Sequence, residues 1–452
     1  MKFTHQFQRV ALVILALLPF ASHAQNGYTQ YRLPGLQQSQ ALNPAFSPDA
    51  KVHLGLPGLT GFDVRVAHDG FAFADVITIR PDDSLAFDID NMIQKLGKSN
   101  LLSFDSRFEL LSFGIGGKKG FFSFAITERV HARFGYPRDL PILAWEGNGQ
   151  QLLGDRASFD DLMFNFQAFR EFAFGYTYRF SDRLAGGMRF KHMQGHFNVH
   201  TRESLFGLHT DAITYDLTID GGGTVNTSGI NELVNDSVDI KRFIFDNTNS
   251  GFGFDFGIDY QHTKRLALSA SVLDLGSIRW RHDTRTYSAE PFSFTFQGVD
   301  INDVLVDSLD VFEEILDSLE QFIVTKEDVG AYRTPLNPKV FLSAQYALTQ
   351  RLTVGGMLHT EFMRNRLLTT LAVSLDATLG RWLAATVNYA YSSRSFANVG
   401  LGLTLRGGPF QFYVVADNVV AAFAPHRVRQ VQAAAGLNFT FGRRSEKPAR
   451  TI

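Results

Sequence analysis

Three histidines stand four residues apart on one predicted strand: His192, His196 and His200. With Gln194, Asn198 and Arg202 they share a face by the period of two that a strand imposes. At about 3.4 Å per residue, successive members of that histidine series lie about 13 Å apart, too far to ligate one metal ion without help from neighbouring strands. The same spacing separates Asp255 from Asp259, so these carboxylates form no acid/base pair by themselves. His192, His196, Asp255 and Asp259 therefore read as candidate lumen residues, the polar wall of a water-filled interior. No Gly-x-Ser-x-Gly elbow, phosphate-cradling glycine loop or His-Glu-x-x-His motif occurs. The absence of cysteine removes disulfides, thiolate chemistry and Cys-based metal sites. A formal net charge of −2 with no basic block argues against a nucleic-acid partner. The chain reads as a non-enzyme with no cofactor and no metal centre.

The elements that must carry these residues are strands of one kind. From Glu171 to Phe180 every second residue is a large aromatic (Phe172, Phe174, Tyr176, Tyr178, Phe180), and the residues between are Glu171, Ala173, Gly175, Thr177 and Arg179. Phe252, Phe254, Phe256, Ile258 and Tyr260 repeat the pattern against Gly253, Asp255, Gly257 and Asp259, and Val431 to Phe441 repeats it again. A strand with one bulky apolar face, recurring along the chain, implies lipid on that face. At the N-terminus, Lys2 and Arg9 precede an apolar stretch from Val10 to Phe20 and the small residues Ser22 and Ala24, the form of a secretion signal cleaved after Ala24. That stretch is too short to span a bilayer, and no later run approaches the roughly 20 apolar residues a membrane helix requires. The fold class expected is therefore all-β: a transmembrane antiparallel outer-membrane β-barrel in contact with outer-membrane lipid, occupying residues 51–442, with a C-terminal tail at 443–452.

The turns repeat as well as the strands. Tyr178-x-x-Ser181-x-Arg183-Leu184, Tyr260-x-x-Thr263-x-Arg265-Leu266 and Tyr346-x-x-Thr349-x-Arg351-Leu352 share one spacing, and each joins two alternating strands through a short connection. They read as periplasmic turns below an aromatic girdle. Strands at roughly 70–80, 106–116, 119–134, 161–180, 183–205, 251–263, 265–283 and 337–349, with six more from Leu352 to Phe441, total about 14, and Lys51–Val66 is expected as an added edge pair. The long insertions then fall outside the cell. Within 284–336, the apolar positions from Ile301 to Phe322 follow helical spacing opposite an acidic face, either a solvated rim helix or a lid or docking surface. Shorter helices are expected near Asp88–Leu96 and Leu140–Leu153.

Leu42-Asn43-Pro44-Ala45-Phe46, then Gly55-Leu56-Pro57-Gly58-Leu59, and later Asp274-Leu275-Gly276-Ser277-Ile278-Arg279-Trp280 occur in an order that resembles a family of Bacteroidota outer-membrane barrels. That family is similar in plan to long-chain fatty-acid transporter barrels and to barrel components of type IX secretion. The resemblance spans nearly the whole mature chain and implies a fold and a location, with no assigned activity. On that resemblance residues 25–50 suit an N-terminal hatch, with Asn43, Pro44 and Phe46 as its candidate residues; Pro34, Pro44 and Pro48 bar a long strand there. A leader lying in the periplasm is the alternative.

Arg170 falls on the apolar register of its strand, where lipid is expected. Either it snorkels at the outer interface or it marks a bulge and a lateral opening. Two functions follow. One is a passive channel or transporter for a small solute, hydrophobic ligands included; the other is a non-enzymatic anchor or partner for a secreted or surface protein, working through the outer loops.

Overall fold

The computed structural model describes residues 27–443 apart from 81, 83, 150, 235–242, 245, 298–322, 328–329, 365, 393–394 and 425–427. The signal segment, the helix expected over Ile301–Phe322 and all but the first residue of the tail lie outside the described residues. Fourteen antiparallel strands close into a barrel. The first, β1, is broken into Ala50–Gly55 and Gly61–His68, both halves lying between the same two neighbours. There follow β2 (Ser99–Gly116), β3 (Gly120–Pro137), β4 (Met163–Arg179), β5 (Leu184–Thr210), β6 (Ser250–Gln261) and β7 (Leu266–Trp280). The second half comprises β8 (Lys339–Ala347), β9 (Leu352–Met363), β10 (Arg366–Leu379), β11 (Leu383–Ser392), β12 (Ser395–Gly407), β13 (Phe410–Ala416) and β14 (Gln430–Arg443). Each strand pairs with the next, and β14 pairs with β1, so the barrel has no free edge.

The alternation that forms the strands also sorts their side chains. On β6, Phe252 is 56% exposed whereas Asp255 is fully buried. On β10, Leu371 and Val373 are exposed whereas Thr370 and Asp376 are buried. This inverts the arrangement of a soluble protein, with large apolar residues outside and polar ones inside. Such a surface is stable only against hydrocarbon, because an apolar belt of this extent left in water would aggregate.

The repeated turns share one mechanism. Ser181 Oγ accepts from the backbone N–H groups of Arg183 and Leu184 at 3.2 and 3.1 Å, Thr263 Oγ1 from those of Arg265 and Leu266 at 3.2 and 3.0 Å, and Thr349 Oγ1 from those of Arg351 and Leu352 at 3.2 and 3.0 Å. A hydroxyl at that position satisfies two turn donors, which is why Ser or Thr recurs there.

The first crossing differs from the sequence expectation. Residues 50–68 form it, and 70–80 contribute only Ile77–Ile79, which pairs with Leu85–Phe87 in a separate two-stranded sheet. Pro57 and Gly58 argued against a central strand, but residues 56–60 loop out of the ladder and pairing resumes at Gly61. Helices form at Ile89–Lys95, where the Asp88 carboxylate caps the N–H of Asn91 at 3.0 Å, and at Asp139–Glu146. Beyond the barrel rim, Leu217–Ser228, Thr284–Phe296 and Ile323–Glu327 extend β5 into an outer sheet.

Candidate functional site

Residues 27–48 lie inside the barrel and bond to strands around its circumference. The helical turn Tyr28–Arg32 opens with the N–H groups of Tyr28 and Thr29 donating to the Asp417 carboxylate at 3.2 and 3.0 Å. Tyr31 stacks on Phe341 of β8 at 5.0 Å, and Tyr28 Oη lies 3.3 Å from His359 Nδ1 of β9. Gln38 and Asn438 of β14 exchange hydrogen bonds at 2.9 and 3.0 Å, Gln411 of β13 donates to the Gly35 carbonyl at 2.8 Å, and Ser271 of β7 to that of Leu42 at 2.7 Å. An amide-rich segment can lie in this interior because the inward polar faces of the strands satisfy it.

Asn43, Pro44 and Phe46 belong to this segment, and the first two contact β4, β6 and β7. Asn43 Nδ2 donates to Tyr31 Oη at 3.1 Å and to the Ala270 carbonyl at 3.2 Å, and its Oδ1 accepts from the Ala45 N–H at 2.9 Å. Thr177 Oγ1 donates to the Pro44 carbonyl at 2.5 Å, and Phe46 packs edge-on against Tyr31 at 5.1 Å. Two glycines admit this turn. A Cβ at Gly187 would stand 2.0 Å from the Pro44 oxygen, and one at Gly257 would stand 2.0 Å from Asn43 Oδ1.

Above this segment the lumen is crossed by an ion network. Between β6 and β7 the register shifts from Phe254 to Phe256, and Asp274 takes a left-handed backbone with φ 60°. The bulge points Asp255 and Asp274 inward together, and Asp255 accepts the Asp274 N–H at 2.8 Å. Gly276 follows where a Cβ would lie 2.2 Å from the Phe252 carbonyl. The Asp-Leu-Gly run is thus the local code for the bulge. Arg129 forks onto both oxygens of Asp274 at 2.9 and 3.0 Å and reaches Glu171 at 2.6 Å. Lys191 joins Asp274 at 2.7 Å and Asp255 at 2.6 Å, Arg189 joins Glu171 at 3.3 Å, and Lys339 approaches Asp274 at 3.4 Å. A neighbouring set pairs Arg133 with Asp105 at 2.7 Å, Arg65 with Asp105 at 3.0 Å, and both arginines with Glu361 at 3.3 Å. Charges this deep are tolerable only as a complete set, since each loses its hydration on burial.

Two cavities meet at this network. An outer vestibule of about 890 Å³ is lined by Asn165, Gln167, His200, Arg202, Arg364 and Arg366, with Met163, Leu336 and Phe362 on its apolar side. An inner chamber of about 110 Å³ lies against Gly27, Gln30 and Leu42. Arg129, His131, Asp274 and Lys339 line both, forming a neck between them.

The residues picked from sequence fall in different places. Asp255 joins the ion network, and Asp259 is on the inward register of β6 below it. His192 faces outward beside Phe172 and Phe252, at 6.1 and 5.3 Å between ring centroids. His196 is also outside, 3.3 Å from Glu128 and stacked on Phe243 at 4.1 Å. A register shift opposite Ala168 and Phe169 splits the expected polar face, so that Asn198 and His200 point inward whereas His192 and Gln194 do not. The lumen assignment of His192 and His196 is therefore corrected: strict alternation cannot anticipate an extra residue. Arg170 stands on the outer face with Glu128 at 2.5 Å, and pairing between β3 and β4 runs unbroken past it from Gly120 to Gly135. The bulge beside it is filled by Trp280, which a Cβ at Gly195 would approach to 2.5 Å. No lateral opening is formed at Arg170 among the described residues. The network residues Arg129, Lys191, Asp274, Lys339 and Glu361 escaped sequence reading, although Glu171, Arg189 and Lys191 occupy the small-residue register where an inward charge shows.

Comparison with solved structures finds a Pseudomonas putida toluene transporter, TodX, at 10% identity, covering 89% of this chain and 92% of that one with a TM-score of 0.42. A Pseudomonas aeruginosa FadL homologue matches at 11% identity, covering 93% of this chain and 100% of that one with a TM-score of 0.43. The KdgM porin matches at 8% identity, covering 84% and 99%, with a TM-score of 0.26. Likeness at this level does not bear on function, and the barrel stands on its own strand pairing. No curated protein matches the sequence. A family model described as a family of unknown function, DUF5723, matches residues 44–417, and the chain belongs to that family.

Proposed function

We propose that the protein is a passive channel of the outer membrane, closed at rest by residues 27–48 and opened by their displacement. The observation that carries this reading is the path itself: a vestibule, a charged neck and an inner chamber stand in series above a segment held mainly by neutral hydrogen bonds. Each such bond contributes about 0.5–1.5 kcal/mol net and is replaceable by water, so these contacts can be released at modest cost. The vestibule presents arginine, histidine and carboxylate groups beside an apolar wall that includes Met163, Leu336 and Phe362, which suits amphipathic solutes. Liposome swelling by the purified protein tests the proposal. Permeation is expected to rise when residues 25–50 are removed; no permeation in either form overturns the reading.

A second reading, docking of a secreted or surface protein, is favoured by the outer sheet. Its hairpin tip holds Ile213 87% exposed and Tyr215 65% exposed, where a monomer has no use for them. Capture of no surface protein by the intact barrel, in a membrane extract of the native cell, counts against it.

A further inference from the structure

We infer that the neck selects small anions and that Lys339 sets the preference. The inference rests on the channel reading and deepens it.

The buried network can be summed charge by charge. Arg65, Arg129, Arg133, Arg189, Lys191 and Lys339 face Asp105, Glu171, Asp255, Asp274 and Glu361. Cations exceed carboxylates by one. In the inner chamber Arg107 pairs with Glu109 at 4.0 Å and Asp63 accepts from Gln432 at 2.6 Å, so neither is paired with a member of the network. The position of the excess is decided by geometry. Arg133 and Lys191 are 3% exposed, Arg189 7%, Arg65 9% and Arg129 10%, and each has two or more carboxylate partners. Lys339 is 17% exposed and, among the described residues, has one ion pair within 4 Å, at 3.4 Å to an Asp274 oxygen that Arg129 already takes at 3.0 Å, while Glu361 opposite it is held by Arg65 and Arg133. Asp274 is shared by Arg129, Lys191 and Lys339, so its single charge cannot neutralise all of them.

Lys339 also stands where a solute must pass. It opens β8 opposite Leu273 and Glu361, at the level where the bulge carries Asp274 inward, and it borders both cavities. Narrow passages lined by an excess of Lys or Arg favour anions, because the low-dielectric wall strengthens the field of each unpaired charge. A flexible ammonium with three rotatable donors can bind a passing carboxylate, phosphate or halide and release it, whereas the forked arginines are fixed by their partners.

The test uses the full chain in planar bilayers under a potassium chloride gradient, with Gly187→Val as a second background that unseats the Pro44 turn. The expected result is a reversal potential displaced toward that of chloride, with anions severalfold more permeant than potassium. Lys339→Met should abolish the preference, Lys339→Glu should invert it, and Lys339→Arg should keep it; heat-modifiable migration on gels confirms that each variant is folded. Currents without anion preference, or a preference that folded Lys339→Met leaves unchanged, overturn the role of the neck and leave the channel standing. Silence in both backgrounds overturns the channel, and the neck with it.

Discussion

The two halves of the barrel solve the same problem with different chemistry. Strands β2 to β7 carry register shifts at Glu109/Leu111, Ala168/Phe169 and Phe254/Phe256, and their interior is crossed by ion pairs. Among the described residues strands β8 to β14 shift only at Ala390/Ser392, and below their outer ends the interior is mostly neutral: Ser343, Gln345, Thr386, Asn388, Thr404, Gln411 and Asn438. Even the buried Asp376 is met there by Gln345 Nε2 at 3.0 Å and Thr386 Oγ1 at 2.9 Å, both uncharged donors. Bulges point extra side chains inward, and the charged half uses them to build most of the neck, which Lys339 and Glu361 complete from β8 and β9; the regular half otherwise offers a mostly neutral polar wall to the segment inside it. Losing one neutral bond costs little, but losing one ion leaves its partners uncompensated.

The sharpest way to break this contrast is Asp274→Ala. Arg129, Lys191 and Lys339 would lose a common carboxylate, and we expect a loss of about 3–5 kcal/mol. On the neutral side, Asn438→Ala removes the exchange with Gln38 and should cost about 1 kcal/mol. Urea unfolding followed by gel migration reads both. Equal losses would show that the two interiors do not differ as argued.

Gly187→Val acts in the charged half, where β5 meets the inner segment. The added Cβ falls on the Pro44 oxygen, so either the turn moves or the strand strains, at about 1–3 kcal/mol. Protease cleavage within 27–48 should become faster while the barrel band persists. Unchanged protection would mean that the Asn-Pro-Ala turn is not what seats the segment.

Arg170→Gln probes the outside of the charged half. The Glu128–Arg170 pair lies on the lipid-side register with the Arg170 guanidinium 5.7 Å from the Phe243 ring and 3.2 Å from the Ile244 carbonyl. At an interface its removal should change stability by only about 0–1 kcal/mol. A loss as large as that of Asp274→Ala would place the pair deep in hydrocarbon and move the membrane boundary.

The contrast also explains what could be read in advance. β4, β6 and β14 were legible because an outward aromatic face and an inward small or polar face fix both element and orientation. The Ser/Thr turns were legible because one hydroxyl serves two donors at a fixed spacing. Asp255 was found as an inward residue, but its partners Arg189, Lys191 and Asp274 come from β5 and β7, and pairing between strands leaves no local trace. His192 and His196 were misplaced for one reason, the bulge in β5 that reverses which face odd and even residues take. β1 was read as an added edge pair, not as a crossing of the barrel, because a Pro-Gly loop interrupts it; the ladder tolerates the interruption since both neighbours resume pairing beyond it.

The smallest effect is expected beyond the barrel, at the tip of the outer sheet, where water screens every charge. Asp211 Oδ1 accepts the N–H groups of Ile213 at 2.7 Å and Thr214 at 2.8 Å. The Thr214 bond, then the Ile213 bond, hold its carboxyl below the usual carboxylate range. A carboxylate depressed in the folded state stabilises at pH above its unfolded value, about 3.9, and that contribution fades as pH falls through the lower folded value. Hydrogen exchange at the Ile213 and Thr214 amides, corrected for intrinsic rates, should therefore speed up below about pH 4. Asp211→Asn should remove that pH dependence while keeping an acceptor in place. The neck and inner segment should be indifferent to this substitution, since no contact joins them to the tip among the described residues. A change in conductance would mean that the outer sheet and the lumen are coupled, and the division between a charged passage and an independent outer surface would fail.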